Sequence, residues 1–363
     1  MSIFEEMASS GHEQLVFACD KDSGLRSIIA IHDTTLGSAL GGCRMWNYPT
    51  ETDALADALK LSAGMTAKSA VTGCNHGGGK AVIWGDSETD KSEALLRAFG
   101  RFVQSLRGRF VTGTDLGTTY EDFLIASQET EWMVGLPEYA GGSGNTSVTT
   151  AYGVFCGLRA AAGHVWGTDD LRQRRVAVQG IGKVGALLVQ HLLEAGCEVV
   201  VSDIDDRRCQ DLASTCEVVS ADDIYSADCD IFSPCAMGGI LDERRIQMLN
   251  CSIVAGAANN QLADERAGYL LHQKGILYVP DYIVNSGGLI QVADEMHGFD
   301  RERAMRKTEG LYELLQRCFA LADEMGIPPF EAADRLVRER IENLAGVGRI
   351  YLPPLTTRRD DAS

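Results

Sequence analysis

The first half of the chain begins with strand-like apolar runs and continues with apolar residues at helical spacing. Residues 15–19 and 26–32 are rich in apolar and β-branched side chains, and the turn-forming segment 20–24 between them predicts a hairpin. Thr50, with an acidic residue three positions later, predicts the start of a helix. Ser92 predicts the start of a second helix, whose apolar stripe is typical of packing against a core.

The second half alternates strands and helices. Helices are predicted at about 150–162, 186–194, 301–325 and 330–344, and strands at 175–179, 198–202, 230–236, 252–257 and 276–280. Such alternation predicts a parallel sheet covered by helices, so the fold class is α/β. Because 363 residues exceed one ordinary core, we expect two domains, with the Gly-, Ser- and Thr-rich segment 135–149 as the crossing.

A glycine-rich stretch of the first half carries two lysines twelve residues apart. Lys68 ends the segment 64–68, and Lys80 follows three consecutive glycines, 77–79. Glycine lets a backbone approach a ligand closely, and the apolar run 81–84 predicts a buried strand. Burial and a second ammonium would lower the pKa of Lys80 and suit it to act as a base. The stretch by itself equally allows a glycine-rich turn followed by a solvated lysine.

Polar or small residues follow several predicted strands. Asp115 comes after the strand 110–112, between glycines, and is either a turn residue or a catalytic carboxylate in the cleft of the lysines. Ligands bind parallel sheets at the carboxyl ends of their strands. The positions that this rule selects in the second half are Asn259, Asn260 and Asn285, and Cys235 and Ala236, in the segment 230–236, are further cofactor candidates. An isolated asparagine more often caps a turn, but three at equivalent positions favour a site.

The strongest motif of the second half is a glycine-rich loop between a strand and a helix. Gly180-Ile181-Gly182-Lys183-Val184-Gly185 matches G-x-G-x-x-G, and the next strand ends on Asp203. Within one βαβ unit this is the dinucleotide-binding fingerprint, with the helix N-terminus facing the phosphates. Asp203 would bind the ribose 2′-hydroxyl and repel a 2′-phosphate, so NAD is favoured over NADP, although Arg207 and Arg208 weaken that preference. A βαβ unit without a ligand is the alternative.

Composition and charge narrow the function classes. The net charge of −18 argues against nucleic acid and anionic membranes as partners. No apolar run approaches a membrane span, and the acidic N-terminus lacks the features of a signal peptide. Eleven scattered cysteines without a C-x-x-C pair suit free thiols in a reducing cytoplasm and indicate no metal site. The polar residues 356–363 are predicted to be a frayed tail.

Taken together, these motifs closely resemble the glutamate/leucine/phenylalanine/valine dehydrogenase family, over nearly the whole chain. The segments that carry the resemblance are 36–44, 64–68, 77–80, 112–115, 180–185, 255–260 and 280–288. The resemblance implies an N-terminal α/β substrate and oligomerisation domain (1–146, completed by a C-terminal helix, 330–363). It also implies a Rossmann NAD-binding domain (147–329), with a cleft between the two. Family members form homo-oligomers from dimers to octamers.

The resemblance also implies roles for single residues. Lys68 would bind the substrate α-carboxylate with help from Asn260, Lys80 would be the catalytic base and Asp115 its proton-transfer partner. Thr150 and Asn285 would hold the nicotinamide end of the cofactor. The implied reaction converts an L-amino acid, NAD⁺ and water to a 2-oxo acid, ammonium and NADH. Lys68 would stay charged so that it can fix the carboxylate.

The substrate side chain is expected to be a branched-chain aliphatic one. Leu40 and the segment that begins at Gly41 resemble leucine-preferring members, and Leu289 and Val292 would line an apolar pocket that argues against glutamate. Gly113 is the residue typical of aromatic-preferring members, so phenylalanine or tryptophan is the alternative. A methyl group added at Gly113 is expected to project toward the substrate side chain. A catalytically silent NAD-binding sensor is a different class, but it would be expected to lack Lys80 or Asp115, and both are present.

Overall fold

A computed structural model describes residues 2–346. Its first part, up to residue 126, builds a five-stranded sheet and its helices. These elements are α1 (Ile3–Ser10), β1 (Gln14–Asp20), β2 (Leu25–Asp33), β3 (Ala39–Trp46), α2 (Glu51–Val71), β4 (Gly77–Trp84), α3 (Glu93–Ser105), β5 (Phe110–Thr114) and α4 (Tyr120–Ala126).

The second part builds a six-stranded sheet and the remaining helices. Its first elements are α5 (Ser147–Trp166), β6 (Arg175–Gln179), α6 (Lys183–Glu194), β7 (Glu198–Ser202), α7 (Asp206–Gln210), β8 (Glu217–Val218), β9 (Ile231–Pro234) and α8 (Glu243–Met248). They are followed by β10 (Ile253–Val254), α9 (Glu265–Gln273), β11 (Leu277–Tyr278), α10 (Asp281–Val284), α11 (Gly287–Glu295), α12 (Arg301–Glu309), α13 (Leu311–Met325) and α14 (Pro329–Ala345).

The first sheet is mixed, with the strand order β1-β2-β4-β3-β5. The hairpin predicted from the sequence is confirmed, because β1 and β2 pair antiparallel from Gln14 opposite Ile31 to Asp20 opposite Leu25. Strands β3, β4 and β5 run parallel to one another. The two helix starts are also confirmed, since the side chains of Thr50 and Ser92 accept hydrogen bonds from backbone N–H groups in the first turns of α2 and α3.

The second sheet has the strand order β11-β10-β9-β6-β7-β8, and all its pairs are parallel. This is the Rossmann order, with the chain crossing from one side of β6 to the other after β8. The α/β fold class with two domains and a Rossmann sheet is therefore confirmed. The carboxyl ends of all six strands meet at one edge, where ligands bind in such sheets.

Three helix predictions differ from the structure. Helix α5 begins at Ser147, not near residue 150, because the side chain of Asn145 accepts a hydrogen bond from the Ser147 N–H and starts the helix inside a segment with loop composition. Helix α6 begins at Lys183, directly after the glycine of its N-cap. The single helix predicted over 301–325 is two helices that meet at Gly310, a residue type with a low preference for helix interiors.

The three glycines before Lys80 lie inside β4 and are all buried. A Cβ on Gly78 would lie 2.2 Å from the backbone nitrogen of Thr66 on α2, and one on Gly79 would lie 2.6 Å from the ring of Phe110. The run therefore lets α2 and β5 approach β4 closely. The interpretation as a turn with a solvated lysine is wrong, since the glycines form strand and Lys80 is 5% exposed.

Gly78→Ala is expected to destabilise the protein by about 3 kcal/mol or more, because the added methyl group meets helix backbone that cannot move aside. The measurement is the free energy of unfolding in denaturant. Gly64→Ala is the control on α2: its methyl group meets no atom within 4 Å, and it should stabilise by about 0.5–1 kcal/mol. Equal stabilities for the two variants would contradict the packing role.

Helix α14 contacts α2 of the first part of the chain. The guanidinium of Arg340 donates hydrogen bonds to the carbonyl oxygens of Ser69 (3.2 Å) and Ala70 (2.6 Å), near the C-terminus of α2, and to the side chain of Asn75 (2.8 Å). The predicted C-terminal helix is observed as Pro329–Ala345, and residues 347–363, including the predicted tail, lie outside the described residues. No helix within 2–346 has both the length and the apolar character needed to cross a membrane.

Candidate active site

A cleft of about 410 Å³ lies between the two sheets. Strands β3, β4 and β5 and helix α2 form one wall, and helices α5, α10 and α11 form the other. All nine predicted substrate and catalytic residues meet in this cleft: Leu40, Gly41, Lys68, Lys80, Gly113, Asp115, Asn260, Leu289 and Val292. Cofactor candidates from the second part that also line it are Thr150, Val184, Asn259 and Asn285.

Lys80 and Asp115 form an ion pair in the cleft. The Lys80 Nζ donates a hydrogen bond of 2.6 Å to Asp115 Oδ2, and the Arg44 Nε donates one of 3.2 Å to the same oxygen. Burial raises the pKa of Asp115, but the charges of Lys80 and Arg44 outweigh it, and the net effect lowers that pKa. The carboxylate is therefore ionised at neutral pH. Both cations bind Oδ2.

Asp115 is also a turn residue, so a turn and a position in the cleft do not exclude each other. Its carbonyl oxygen accepts a hydrogen bond from the Thr118 N–H (3.0 Å), and its own N–H donates to Thr118 Oγ1 (2.9 Å). The Thr118 hydroxyl donates in turn to the carbonyl of Cys43 on β3 (2.9 Å). The turn thus fixes the carboxylate between β3 and β5.

Arg44 was not among the site residues selected from the sequence. Beyond Asp115, its guanidinium donates to Asp57 Oδ2 at 2.9 Å, and the Tyr48 hydroxyl donates to the same oxygen at 2.6 Å. These contacts hold Arg44 between helix α2 and the ion pair. The available signal was its place at the end of the glycine-containing segment 36–44, where a cation follows small residues.

Lys68, from the last turns of α2, faces Asp281 across the cleft. Burial lowers the pKa of Lys68 to about 8, Asp281 acts in the opposite direction, and Lys80 lowers that pKa further. The charged form of Lys68 therefore predominates at pH 7. Asp281, which the sequence did not select, is buried and accepts a hydrogen bond from the Gln261 N–H at 2.8 Å. Burial raises its own pKa.

Binding of a carboxylate ligand is expected to weaken as the pH rises through 8, because the charged form of Lys68 exists below its pKa of about 8. Isocaproate, which has leucine's carbon skeleton without the amino group, is the probe, and calorimetry gives its dissociation constant. We expect a constant value near pH 7 and a rise of about tenfold per pH unit above 8. In Asp281→Asn the rise should begin at a lower pH. A dissociation constant unchanged up to pH 9.5 would contradict the assignment.

The apolar end of the cleft is formed by Leu40, Val134, Leu289 and Val292. Leu40 and Leu289 are almost fully buried. A Cβ on Gly113 would lie 3.0 Å from the Val134 carbonyl oxygen and 3.6 Å from its Cγ2. The nearest atom to an added methyl group would therefore be the backbone oxygen of Val134, at a distance that requires a small shift. This differs from the expectation that it projects directly toward a substrate side chain.

The glycine-rich loop lies at the carboxyl end of β6, as the motif predicts. A Cβ on Gly180, which has a φ of +98°, would lie 2.6 Å from the Cβ of Ala236, and one on Gly185 would lie 2.0 Å from the Gly180 carbonyl oxygen and 3.4 Å from the Cβ of Cys235. Gly182 is the N-cap of α6 and makes no side-chain cap hydrogen bond. A Cβ there would face open space. The N-terminus of α6 thus opens toward solvent, an arrangement suited to a phosphate.

Asp203 follows β7 and faces this loop. Its Oδ2 accepts a hydrogen bond from the Ile181 N–H at 2.6 Å, and Arg208 forms an ion pair with it at 3.4 Å. The neighbouring Arg207 pairs with Asp205 instead. The structure therefore shows a contact of Asp203 that the motif did not predict, since the carboxylate accepts a hydrogen bond from the loop backbone.

The asparagines at the strand ends adopt different roles. The Asn285 Nδ2 donates to Asn259 Oδ1 (2.8 Å) and to the Ala257 carbonyl (3.1 Å), while its buried Oδ1 has no hydrogen-bond partner among the described residues. An unpartnered buried acceptor is costly, and it would suit the amide of a nicotinamide. Asn260 has a φ of +51°, which asparagine tolerates better than most residues.

No group of three or more His, Cys, Asp or Glu side chains within residues 2–346 could hold a metal ion.

A parallel Rossmann sheet that opens onto a cleft shared with a second domain defines the class of two-domain nicotinamide-dependent dehydrogenases. Residues 12–138 match the family described as "Glu/Leu/Phe/Val dehydrogenase, dimerisation domain". Residues 141–210 and 202–333 match "Glutamate/Leucine/Phenylalanine/Valine dehydrogenase". The chain belongs to this family of amino-acid dehydrogenases, as the sequence predicted.

Close relatives differ in the substrate that their names give. The chain is 51% identical to a leucine dehydrogenase of Thermoactinomyces intermedius over 97% of each chain. It is 50% identical to a phenylalanine dehydrogenase of Caldalkalibacillus thermarum over 95% of each. The structure superposes on that of an L-tryptophan dehydrogenase from Nostoc punctiforme with a TM-score of 0.83 and 45% identity, over 94% of this chain and 99% of the other.

Proposed function

We propose that this protein catalyses the reversible NAD-dependent oxidative deamination of a branched-chain aliphatic L-amino acid, with leucine preferred and valine and isoleucine also accepted. The observation that carries the proposal is the juxtaposition of the Lys80–Asp115 pair with an apolar pocket that includes Leu40 and Leu289. The polar pair supplies acid–base groups, and the apolar end accepts an uncharged side chain.

In the proposed mechanism the chain's residues hold the substrate and move protons. The Lys68 ammonium binds the α-carboxylate, with Asn260 beside it in the cleft. After hydride has left Cα, Lys80 in its neutral form takes a proton from the water that attacks the iminium carbon. Asp115 then carries a proton from the carbinolamine oxygen to its nitrogen, so that ammonia leaves and the 2-oxo acid remains. The 2.6 Å bond between Lys80 and Asp115 lets the pair exchange that proton.

The cofactor candidates fit a dinucleotide. The open N-terminus of α6, after Gly180 and Gly182, suits the pyrophosphate, and the unpartnered Oδ1 of Asn285 suits the carboxamide, near Thr150. Ile181, Lys183, Val184, Gly185, Cys235, Ala236 and Asn259 would complete the contacts. When bound, NAD supplies the hydride acceptor. We favour NAD over NADP because Asp203 would repel a 2′-phosphate.

Phenylalanine or tryptophan is the second candidate substrate. Glycine at position 113 resembles the aromatic-preferring members, and relatives of similar identity are named for aromatic amino acids. A spectrophotometric NADH assay with a panel of L-amino acids distinguishes the two. Highest kcat/KM on leucine, valine or isoleucine supports the proposal, and highest kcat/KM on an aromatic substrate replaces it with the second candidate. No NADH formation with any amino acid would refute both.

Asp203→Ala is expected to reduce the preference for NAD over NADP by about 10- to 100-fold in kcat/KM, because it removes a charge-assisted bond to the 2′-hydroxyl and frees Arg208. Since the Ile181 N–H also loses its acceptor, NAD binding itself should weaken. The measurement is kcat/KM for both cofactors. Asp206→Ala, at an exposed position nearby, is the control. An unmutated enzyme that uses both cofactors equally would contradict the role of Asp203.

We also propose an assembly and a location. Residues 1–146 would form the substrate and oligomerisation domain, completed by α14, and residues 147–329 the NAD domain. A homo-oligomer is supported by the family description of residues 12–138 as a dimerisation domain, and by β1, which is an edge strand with Phe17 exposed. Light scattering after gel filtration measures the oligomeric state.

The eleven free thiols support a location in a reducing compartment, the cytoplasm.

A further inference from the structure

Glu295, the last residue of α11, contacts the segment that crosses between the two sheets (residues 134–146, the crossing segment). Its Oε2 accepts hydrogen bonds from the N–H groups of Gly135 and Ser143, each 2.9 Å long. One carboxylate oxygen therefore accepts hydrogen bonds from two backbone N–H groups that lie eight residues apart in the crossing segment.

A second set of hydrogen bonds to the same part of the chain lies one helical turn earlier on α11. The Gln291 Nε2 donates to the Ser143 carbonyl at 2.8 Å, and its Oε1 accepts from Thr149 Oγ1 at 2.7 Å. Gln291 is 3% exposed, so these bonds are shielded from water. Helix α11 and the crossing segment are therefore joined by hydrogen bonds at two positions of the helix, Gln291 and Glu295.

The same two elements supply facing walls of the apolar pocket. Helix α11 contributes Leu289 and Val292, and the crossing segment contributes Val134 and Gly135. A Cβ added at Gly135 would lie 3.6 Å from Val292 Cγ1, so the space between the two walls at this point is about that of one methyl group. The carboxylate of Glu295 is therefore part of what sets the width of the pocket, although the pocket does not include it.

We propose that Glu295 is a positioning residue that sets the size of substrate side chain the enzyme accepts. This inference rests on the proposed function, since it concerns the pocket for the amino-acid side chain. Without the carboxylate, the N–H groups of Gly135 and Ser143 lose their acceptor and the crossing segment moves away from Val292. The pocket widens, so larger side chains gain relative to smaller ones.

The test compares Glu295→Ala with Glu295→Gln on L-valine, L-leucine and L-phenylalanine. Glutamine keeps one carbonyl oxygen that can accept both N–H groups, so its selectivity should stay within about threefold of the unmutated enzyme. In Glu295→Ala the ratio of kcat/KM for phenylalanine over valine should rise by about tenfold or more, the scale of a methylene-sized change in a pocket. The dissociation constant of NADH should not change. Glu313→Ala, at an exposed glutamate of α13, is the control.

Two results would overturn the proposal: an equal loss on all three substrates in Glu295→Ala, or a glutamine variant as altered in selectivity as the alanine one. If the alanine variant does not fold, Glu295→Asp replaces it, because a side chain shorter by one methylene cannot reach both donors. Hydrogen exchange of the Gly135 and Ser143 amides, read on the full chain, is independent of turnover. We expect the two amides to exchange about tenfold faster in the alanine variant. Equal exchange rates would show that Glu295 does not hold the crossing segment in place. Absence of activity in the unmutated enzyme would instead refute the proposed function.

Discussion

Lys80→Ala is expected to lower kcat for amino-acid oxidation by about 10²- to 10⁴-fold, the contribution typical of a positioned acid–base group. Lys80 is buried and bonded to Asp115, so its loss removes both the proposed base and the partner through which Asp115 exchanges protons. NADH binding should be almost unchanged, because Lys80 lies on β4 and the dinucleotide loop follows β6. The measurements are steady-state kinetics and NADH fluorescence titration.

Lys80→Met separates chemistry from packing, since methionine keeps most of the buried volume without the ammonium. It should be as inactive as the alanine variant while unfolding at a temperature closer to that of the unmutated protein. Lys21→Ala, at an exposed lysine of the turn between β1 and β2, is the matched control and should leave kcat unchanged. Turnover of the methionine variant near the unmutated value would show that another group is the base.

Lys68→Ala is expected to raise KM for the amino acid by about 10- to 100-fold, because a charge-assisted bond to the α-carboxylate contributes about 1.5–3 kcal/mol. Asp281 would be left with a buried negative charge that repels the substrate carboxylate, so the effect should lie at the upper end of that range. Initial rates over a wide range of amino-acid concentration give KM and kcat separately.

Lys68→Arg keeps the positive charge and should recover a large part of the lost affinity, whereas an uncharged Lys68→Met should not. Binding of isocaproate to the same variants reports the carboxylate contact without turnover. An unchanged KM in Lys68→Ala would mean that the carboxylate binds elsewhere in the cleft.

Local signals in the sequence predicted the elements and motifs that depend on neighbouring residues. The caps at Thr50 and Ser92 and the hairpin at 20–24 follow from contacts within a few positions, and all are observed. The fingerprint at 180–185 is equally local, because strand, loop and helix are consecutive. Helix α5 begins three residues before the predicted position, in a segment whose composition is that of a loop, where the Asn145 side chain accepts a hydrogen bond from the Ser147 N–H.

Local sequence signals do not predict which residues from distant parts of the chain contact one another. Arg44 reaches Asp115 across 71 positions, and the pKa of Lys68 depends on Asp281, which comes from the other domain. Arg44 and Asp281 lie in the segments 36–44 and 280–288, but no local feature of either segment shows which residue its side chain faces. The sequence suggests that the glycines 77–79 let the backbone approach a ligand, but two of them, Gly78 and Gly79, lie against helix α2 and the ring of Phe110.

The sequence by itself determined the α/β class, the presence of two domains and the family, because periodicity and motif spacing are properties of consecutive residues. Only the tertiary structure shows which charged groups of the site lie next to one another and which elements form its walls. It showed that Lys80 and Arg44 share one oxygen of Asp115, and that Glu295 ties the crossing segment to α11. The physical reason is that charge interactions and packing act over a few ångströms in space, whatever the separation along the chain.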